Sequence, residues 1–200
     1  MVLPYYAFMS CGLHLAEPAR LLDFLSVHLY PHKPNTVLDY RHELDRTALI
    51  ASYVASFGKP VLIGEYGSVG GNTETYTALW GSEYPPSSEE LQALWCHDFV
   101  LTSSSFVSGW LCWGMYDIPE SLDSTRHSGM LAADGRMKAW GQQFQEMGSQ
   151  VASSQPKQGL AQHTFQREPL VAGLVDPFAG LETWIRRRRA EGDFILAEGA

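Results

Sequence analysis

Three short apolar runs, separated by longer helical patterns, predict parallel strands joined by helices. The runs lie in 24–30, 58–67 and 106–113. Between the first two, residues 37–57 follow a helical pattern that ends at Gly58. Its inward-facing positions are Leu44, Thr47, Ile50, Ala51 and Val54. Because parallel pairing requires a crossover of about this length, the pattern predicts an α/β fold.

The first of these strands has one apolar face and one polar face. Side chains alternate between the two faces of a strand, so residues 24–30 divide into two sets. The apolar set is Leu25, Val27 and Leu29, and the polar set is Ser26, His28 and Tyr30. The polar face is therefore the one that can carry chemistry.

The second strand ends in a carboxylate. Its β-branched-rich run, Val61 to Ile63, is typical of a strand that is buried on both faces. Alternation places Glu65 on the face of Val61 and Ile63. A buried carboxylate is costly unless it is paired or used, which favours a functional role. The alternative is a solvated carboxylate at a strand end.

The remaining patterns predict three further helices and a long loop. A short helical turn covers 16–23, and a Ser-x-x-Glu spacing in 85–90, typical of a capping box, begins a helix that runs to about Ser103. The inner face of that helix is predicted to hold Leu91, Leu94, Trp95 and Phe99. A last helix holds Trp140 and Phe144 and ends near Gly148. The loop 68–84, which contains Trp80, has a length that is uncommon without a function.

These elements form one predicted domain, residues 1–148. The polar stretch 149–159 has the composition of a linker. Residues 160–200 form an extension to which the sequence assigns no role.

Composition narrows the classes of function. The 200 residues are 45% apolar and 18% charged, with a formal net charge of −8. A nucleic-acid partner is not expected, because phosphate binding needs a basic surface and only 186–189 supplies one locally. The apolar start, 1–12, is too short to span a membrane and lacks the features of a signal peptide, so no membrane partner is expected and the compartment stays open.

The cysteines and histidines predict no metal and no other cofactor. The three cysteines share no C-x-x-C spacing, so neither a disulfide framework nor a zinc site is indicated. The seven histidines contain no H-E-x-x-H pair.

The strand segments resemble a known enzyme group when they are taken together. The segments 23–31, 58–67 and 109–114 look like the sixth, seventh and eighth strands of clan A glycoside hydrolases, most like the cellulase-like family 5. The segment 128–140 resembles the turn into the closing helix of that family. The resemblance covers residues 10–147 and implies the C-terminal portion of a (β/α)8 TIM barrel, with the N-terminal units missing.

The resemblance also implies roles for individual side chains. Glu65 matches the nucleophile of a retaining glycosidase, and Tyr30 matches the tyrosine that donates a hydrogen bond to it. His28 would lie nearby in a sugar-binding subsite, with a satisfied polar group of the barrel as the alternative. Trp113 matches the aromatic platform beneath the sugar ring, whereas Trp110 faces the other way into the core. Three residues on loops, Trp80, Asp117 and Glu120, can bind outer sugars or simply be solvated.

The chain departs from the family in two ways. The family's catalytic acid follows an asparagine, and no Asn-Glu pair occurs in this sequence; Glu17, the nearest similar residue, lacks that asparagine. Five barrel units before Asp23 would need on the order of 150 residues. The sequence therefore predicts the C-terminal part of a longer enzyme that hydrolyses a β-linked oligo- or polysaccharide, a part that is inactive alone.

Two other functions stay open. The first is a non-catalytic remnant of a barrel that binds sugar or a partner, whose open sheet edges would favour self-association. The second is a doubly wound binding domain, which would need a Gly-rich phosphate loop that residues 64–67 do not supply.

Overall fold

The computed structural model describes residues 2–4, 16–30, 43–44, 47–48, 50–52, 54–55, 57–79, 81 and 83–153. The strands are β1 (Val2–Pro4), β2 (Leu25–Leu29), β3 (Val61–Tyr66), β4 (Tyr76–Thr77), β5 (Glu83–Tyr84) and β6 (Gly109–Cys112). The helices are α1 (Ala16–Leu21), α2 (Glu89–Ser103) and α3 (Ala139–Ser153), with a 3-10 turn at Ser124–Arg126. The predicted extension, 160–200, lies outside the described residues.

Four strands form a parallel sheet in the order β1-β2-β3-β6, which confirms the predicted α/β class and the parallel pairing. The first of them, β1, was not predicted. It has only three residues and ends in Pro4, so it shows no alternation. Because β1 is the outer strand of the described sheet, a proline is tolerated there.

The crossover from β2 to β3 is helical at each of its described positions between 43 and 55. Its five predicted inward-facing residues are all buried. Gly58 ends this crossover in a left-handed conformation, with φ of 73°, and its amide donates to the Ala55 carbonyl at 3.0 Å.

The core lies between the helices and one face of the sheet. The aromatic ring of Tyr66 stacks on Phe99 at 4.9 Å and meets Trp140 edge-on at 6.0 Å. These three rings join the end of β3 to α2 and α3. The main strand residues of this core are Leu25, Val27, Leu29, Val61 and Ile63.

Strand β3 departs from the simple alternation that the sequence predicts. Val27 pairs with Ile63, but the next residue of β2, His28, pairs with Glu65, so β3 contains one extra residue. A bulge of this kind turns the side chains that follow it. As a result, Glu65 lies with His28 rather than on the core-facing side of Val61 and Ile63.

Helix α2 ends where predicted and begins differently. Its N-cap is Ser88, whose hydroxyl accepts from the Leu91 amide at 3.2 Å, so the predicted Ser87-to-Glu90 capping box is wrong. Leu94, predicted to face inward, is 48% exposed. Gln92 is buried instead, because its amide side chain donates to the carbonyls of Ser68 and Gly129.

Helix α3 continues to Ser153, past the predicted end near Gly148. A side chain at Gly148 would meet nothing within 4 Å, and this glycine does not adopt a left-handed conformation. It therefore does not stop the helix, which extends through the first residues of the predicted linker.

Candidate active site

Two of the predicted site residues contact Glu65, at the carboxyl end of β3. The Tyr30 hydroxyl donates to Glu65 Oε2 at 2.9 Å. His28 Nδ1 lies 2.9 Å from the same oxygen. The Glu65 side chain is 25% exposed, so it is held by partners rather than freely solvated.

Both donors come from the end of β2. A carboxylate oxygen can only accept, so the contact places a proton on His28 Nδ1. Neither contact uses Glu65 Oε1. One oxygen of the carboxylate is therefore fixed by two donors, and the other is the candidate nucleophile.

The environment of Tyr30 keeps its hydroxyl a donor. Burial, followed by the charge and hydrogen bond of Glu65, raises the pKa of Tyr30 far above its ordinary value. The phenol therefore remains protonated at neutral pH and can donate to Glu65.

Gly64 provides the space in which His28 reaches Glu65. A Cβ atom at this position would lie 2.5 Å from Ser26 Oγ and 3.3 Å from the His28 ring. Only glycine fits there without displacing one of these side chains.

Trp113 lies directly beyond β6, beside the end of β3. Its amide donates to the Tyr66 carbonyl at 2.8 Å, and the residue is 43% exposed. Trp110 packs against the core, as predicted, and its indole donates to Ser103 Oγ at 2.9 Å. Trp110 is therefore partly buried against the core, whereas Trp113 is exposed.

Cys112 does not compete with Glu65 as a nucleophile. Burial raises the pKa of its thiol to about 11, so the thiol is protonated at neutral pH. Its Sγ atom accepts a hydrogen bond from the Trp140 indole at 3.1 Å.

The long loop after β3 contains aromatic residues that the sequence analysis missed. Strands β4 and β5 pair antiparallel within it, and the rings of Tyr76 and Tyr84 stack at 5.0 Å. The guanidinium of Arg126 lies 5.6 Å from the Tyr76 ring centroid. Tyr84 is close enough to Tyr30 to contribute to raising its pKa. The only signal in the sequence was the length of the loop, and Trp80, the residue singled out there, lies outside the described residues.

Asp117 is not the solvated loop residue that was one alternative. Its carboxylate lies 3.0 Å from Lys138 Nζ, and its side chain is 11% exposed. Lys138 was not singled out from the sequence. The sequence feature that could have indicated it is a lysine directly before the apolar first residues of α3.

The described residues contain neither a metal-binding group nor a membrane-spanning helix. In the described ranges, no group of three or more His, Cys, Asp or Glu side chains is arranged to hold a metal ion. Of the helices described, none combines the length and the apolar character needed to cross a bilayer.

Comparison with known proteins gives matches by structure. No protein-family profile and no curated protein sequence matches the chain. A Bifidobacterium dentium β-glucuronidase complexed with coumarin-3-O-glucuronide is 17% identical with a TM-score of 0.55, and the match covers 78% of this chain and 24% of that one. A Ruminococcus gnavus β-glucuronidase is 19% identical with a TM-score of 0.54, covering 74% and 25%. A Faecalibacterium prausnitzii β-glucuronidase is 19% identical with a TM-score of 0.50, covering 66% and 22%.

These neighbours are glycoside hydrolases of the TIM-barrel type. The chain spans about a quarter of the length of the first two. At such identities the likeness is one of fold. It agrees with the predicted α/β fold and does not extend to the cellulase-like family 5. The described chain therefore has a fold that matches part of a β-glucuronidase.

Proposed function

We propose that this chain is part of a retaining glycoside hydrolase, with Glu65 as its nucleophile. The observation that carries the proposal is the pair of donors on one carboxylate oxygen, the Tyr30 hydroxyl and His28 Nδ1, each at 2.9 Å. Two donors on one oxygen fix the orientation of the carboxylate. The chain would supply the C-terminal units of a TIM barrel, where active sites lie at the carboxyl ends of the strands.

The chemistry follows from this geometry. Glu65 Oε1 attacks the anomeric carbon as the bond to the leaving oxygen breaks, which gives a glycosyl ester. A second carboxylic acid, about 5 to 5.5 Å away in retaining enzymes, protonates the leaving oxygen and then activates the water that cleaves the ester. His28 and Tyr30 hold the nucleophile throughout.

Trp113 is proposed as the platform for the sugar. Trp113 is exposed, and its backbone is hydrogen-bonded to the end of β3, the strand that carries Glu65. A flat aromatic face suits the C–H side of a pyranose. The substrate class is a β-linked glycoside. Family 5 would favour a neutral oligo- or polysaccharide, and the name of the β-glucuronidase neighbours favours a glucuronide.

The described residues in contact with Glu65 do not include the catalytic acid that the proposed mechanism requires. Among the described residues, the side chains recorded at Glu65 are those of His28 and Tyr30, and neither is a carboxylic acid. No Asn-Glu pair occurs in the sequence. General acid catalysis is worth roughly 100- to 10,000-fold, so the 200 residues alone are expected to leave natural oligosaccharides intact.

The second candidate is a sugar-binding protein without catalysis, favoured by the same absence of an Asn-Glu pair. In either case, the outer strands β1 and β6 of the described sheet offer edges through which copies can associate.

The test uses substrates that need no acid. The chain is incubated with dinitrophenyl β-glucoside and dinitrophenyl β-glucuronide, and release of dinitrophenolate is followed. We expect slow release from one of them, lost in Glu65→Gln and unchanged in Glu90→Gln, which alters an exposed carboxylate on α2. Release that survives Glu65→Gln contradicts the proposed nucleophile, and binding without release favours the non-catalytic candidate.

A further inference from the structure

Lys138 is buried completely, directly before α3. Its side chain is 0% exposed, and its ammonium group meets three parts of the chain. Nζ donates to the carbonyls of Gly70 at 2.8 Å and His127 at 3.1 Å. It also lies 3.1 Å and 3.0 Å from the two carboxylate oxygens of Asp117.

These contacts supply a hydrogen-bond acceptor for each N–H of the ammonium group. A buried charge is tolerated when it is paired and its remaining hydrogens find acceptors. Lysine has three N–H donors, and the two carbonyls and one carboxylate use all of them. The cluster of Lys138, Asp117, Gly70 and His127 is called the lysine node below.

One side of the node holds the loop after β3, residues 67–75. Besides accepting from Lys138, Gly70 donates its own amide to the His127 carbonyl at 3.0 Å. A Cβ at Gly70 would lie 2.5 Å from Gln92 Cβ and 2.7 Å from the Ser88 carbonyl oxygen. Gly70 is thus pressed between α2 and the node, a few residues beyond Glu65.

The other side of the node holds the loop after β6, residues 113–131. Asp117 Oδ1 accepts from the Gly129 amide at 2.7 Å, and the Asp117 amide donates to the Leu131 carbonyl at 2.8 Å. The next residue after Gly129, Met130, donates to the Gly114 carbonyl at 3.1 Å. Gly114 directly follows Trp113, so two hydrogen bonds and the peptide bonds between neighbouring residues connect the node to Trp113.

We propose that Lys138 is a positioning residue: its ammonium group links the loop after β3 to the loop after β6, and thereby holds Trp113 in place beside the strand end that carries Glu65. The inference rests on the proposed function for what Trp113 and Glu65 do. The link between the two loops rests on the hydrogen bonds of Lys138 and can be tested without any sugar.

The first test follows Trp113 by fluorine NMR in protein labelled with 5-fluorotryptophan. Trp113→Phe identifies its resonance. Asp117→Asn keeps the shape of the side chain and removes its charge, and we expect it to shift or broaden the Trp113 resonance. The resonances of the core residues Trp95 and Trp140 should stay in place.

The matched control is Arg136→Gln. Arg136 lies two residues from Lys138 and pairs with Glu89 at 2.6 Å, but its side chain is 57% exposed. This control should leave all the tryptophan resonances unchanged. An unmoved Trp113 resonance in Asp117→Asn, or one that moves only together with those of the core tryptophans, overturns the inference.

A second pair of variants addresses Lys138 itself. Lys138→Met should move the Trp113 resonance as Asp117→Asn does, and Lys138→Arg, which keeps the charge, should restore it in part. If Lys138→Met does not fold, the Asp117→Asn spectrum decides.

Titration with cellotetraose and with glucuronic acid separates this inference from the proposed function. If the unaltered chain binds one of them, Asp117→Asn should weaken binding about tenfold or more, since an exposed platform must be held in place to bind. Equal binding by both proteins overturns the positioning role. If neither sugar binds the unaltered chain, the proposed function fails, and the fluorine spectrum still decides whether Lys138 positions Trp113.

Discussion

Two donors meet on one oxygen of Glu65 because the chain contains a bulge at that point. The sequence indicated Glu65, His28 and Tyr30 separately, from strand ends and resemblance. Strict alternation placed Glu65 on the side of Val61, away from His28. The register change between Val27 and His28 reverses this and brings the three side chains together. A one-residue irregularity leaves no clear trace in the apolar pattern, so the pattern alone could not predict the meeting point, whereas the family resemblance implied it.

Gly64 is the residue on which this arrangement depends most. Gly64→Ala would bring a Cβ to 2.5 Å from Ser26 Oγ and 3.3 Å from the His28 ring, so we expect a loss of about 1–3 kcal/mol of stability. The His28 ring would also be displaced from Glu65. Urea unfolding and the histidine NMR resonances measure the two effects.

Gly148→Ala is the matched control for Gly64→Ala. A side chain there meets nothing within 4 Å and replaces a helical glycine, so stability should rise by roughly 0.5–1 kcal/mol. Equal effects of the two changes would mean that Gly64 does not provide the space for His28.

Tyr66 carries a hydroxyl that is buried without a hydrogen-bond partner among the described residues. Tyr66→Phe removes this unsatisfied group, so the free energy of unfolding should stay the same or rise by about 1 kcal/mol below pH 9. A clear loss of stability would show that the hydroxyl has a partner.

The same variant changes the response to alkali. Burial raises the pKa of Tyr66 far above its ordinary value near 10. Below pH 10 both folded and unfolded states keep the proton; above it only the unfolded state releases it, so stability falls as the pH rises. Tyr66→Phe should reduce that slope by up to about 1.4 kcal/mol per pH unit. Urea unfolding between pH 9 and 11 measures it.

At the scale of elements, the apolar pattern predicted most of the sheet and helices. The strands 25–29 and 61–66 and the helix ending at Ser103 were predicted because each has a clear period and a clear stop. The short elements were not. β1, β4 and β5 have two or three residues each, too few to show a period, and are held by their neighbours.

The start of α2 shows why element ends are harder to predict than elements. Two adjacent serines, Ser87 and Ser88, precede the helix, and spacing alone favoured the first. In the structure Ser88 caps the helix, while the Ser87 hydroxyl is buried with no hydrogen-bond partner recorded in the described residues. Backbone pairing of Ser87 with Asn72 decides between them, and that contact is distant in sequence.

The two serines should therefore respond differently to alanine. Ser88→Ala should cost about 1 kcal/mol, the usual value of an N-cap. Ser87→Ala should cost nothing or stabilise slightly, because it removes an unsatisfied hydroxyl. Chemical unfolding of the two variants side by side measures this, and the reverse order would restore the predicted capping box.

In the molecule as a whole, the residues that form the core are separate from the residues of the candidate site. One face packs on the helices and forms the core, while the strand ends carry Glu65, His28, Tyr30 and Trp113. The described β1 and β6 are outer strands of a parallel sheet that matches part of a much longer β-glucuronidase. Glu65 is thus held by contacts at the strand ends, apart from the packing that forms the core.

Covalent trapping tests most directly the proposal that Glu65 is the nucleophile. The chain is incubated with dinitrophenyl 2-deoxy-2-fluoro-β-glucoside and with the corresponding glucuronide, and peptides are then analysed by mass spectrometry. These reagents form the glycosyl ester without an acid and release it slowly. If Glu65 is the nucleophile, we expect one added sugar, from one of the two reagents, on the peptide that contains Glu65. We expect none in Glu65→Gln. An adduct on another carboxylate, an adduct that persists in Glu65→Gln, or no adduct with either reagent would contradict the role of Glu65 as nucleophile.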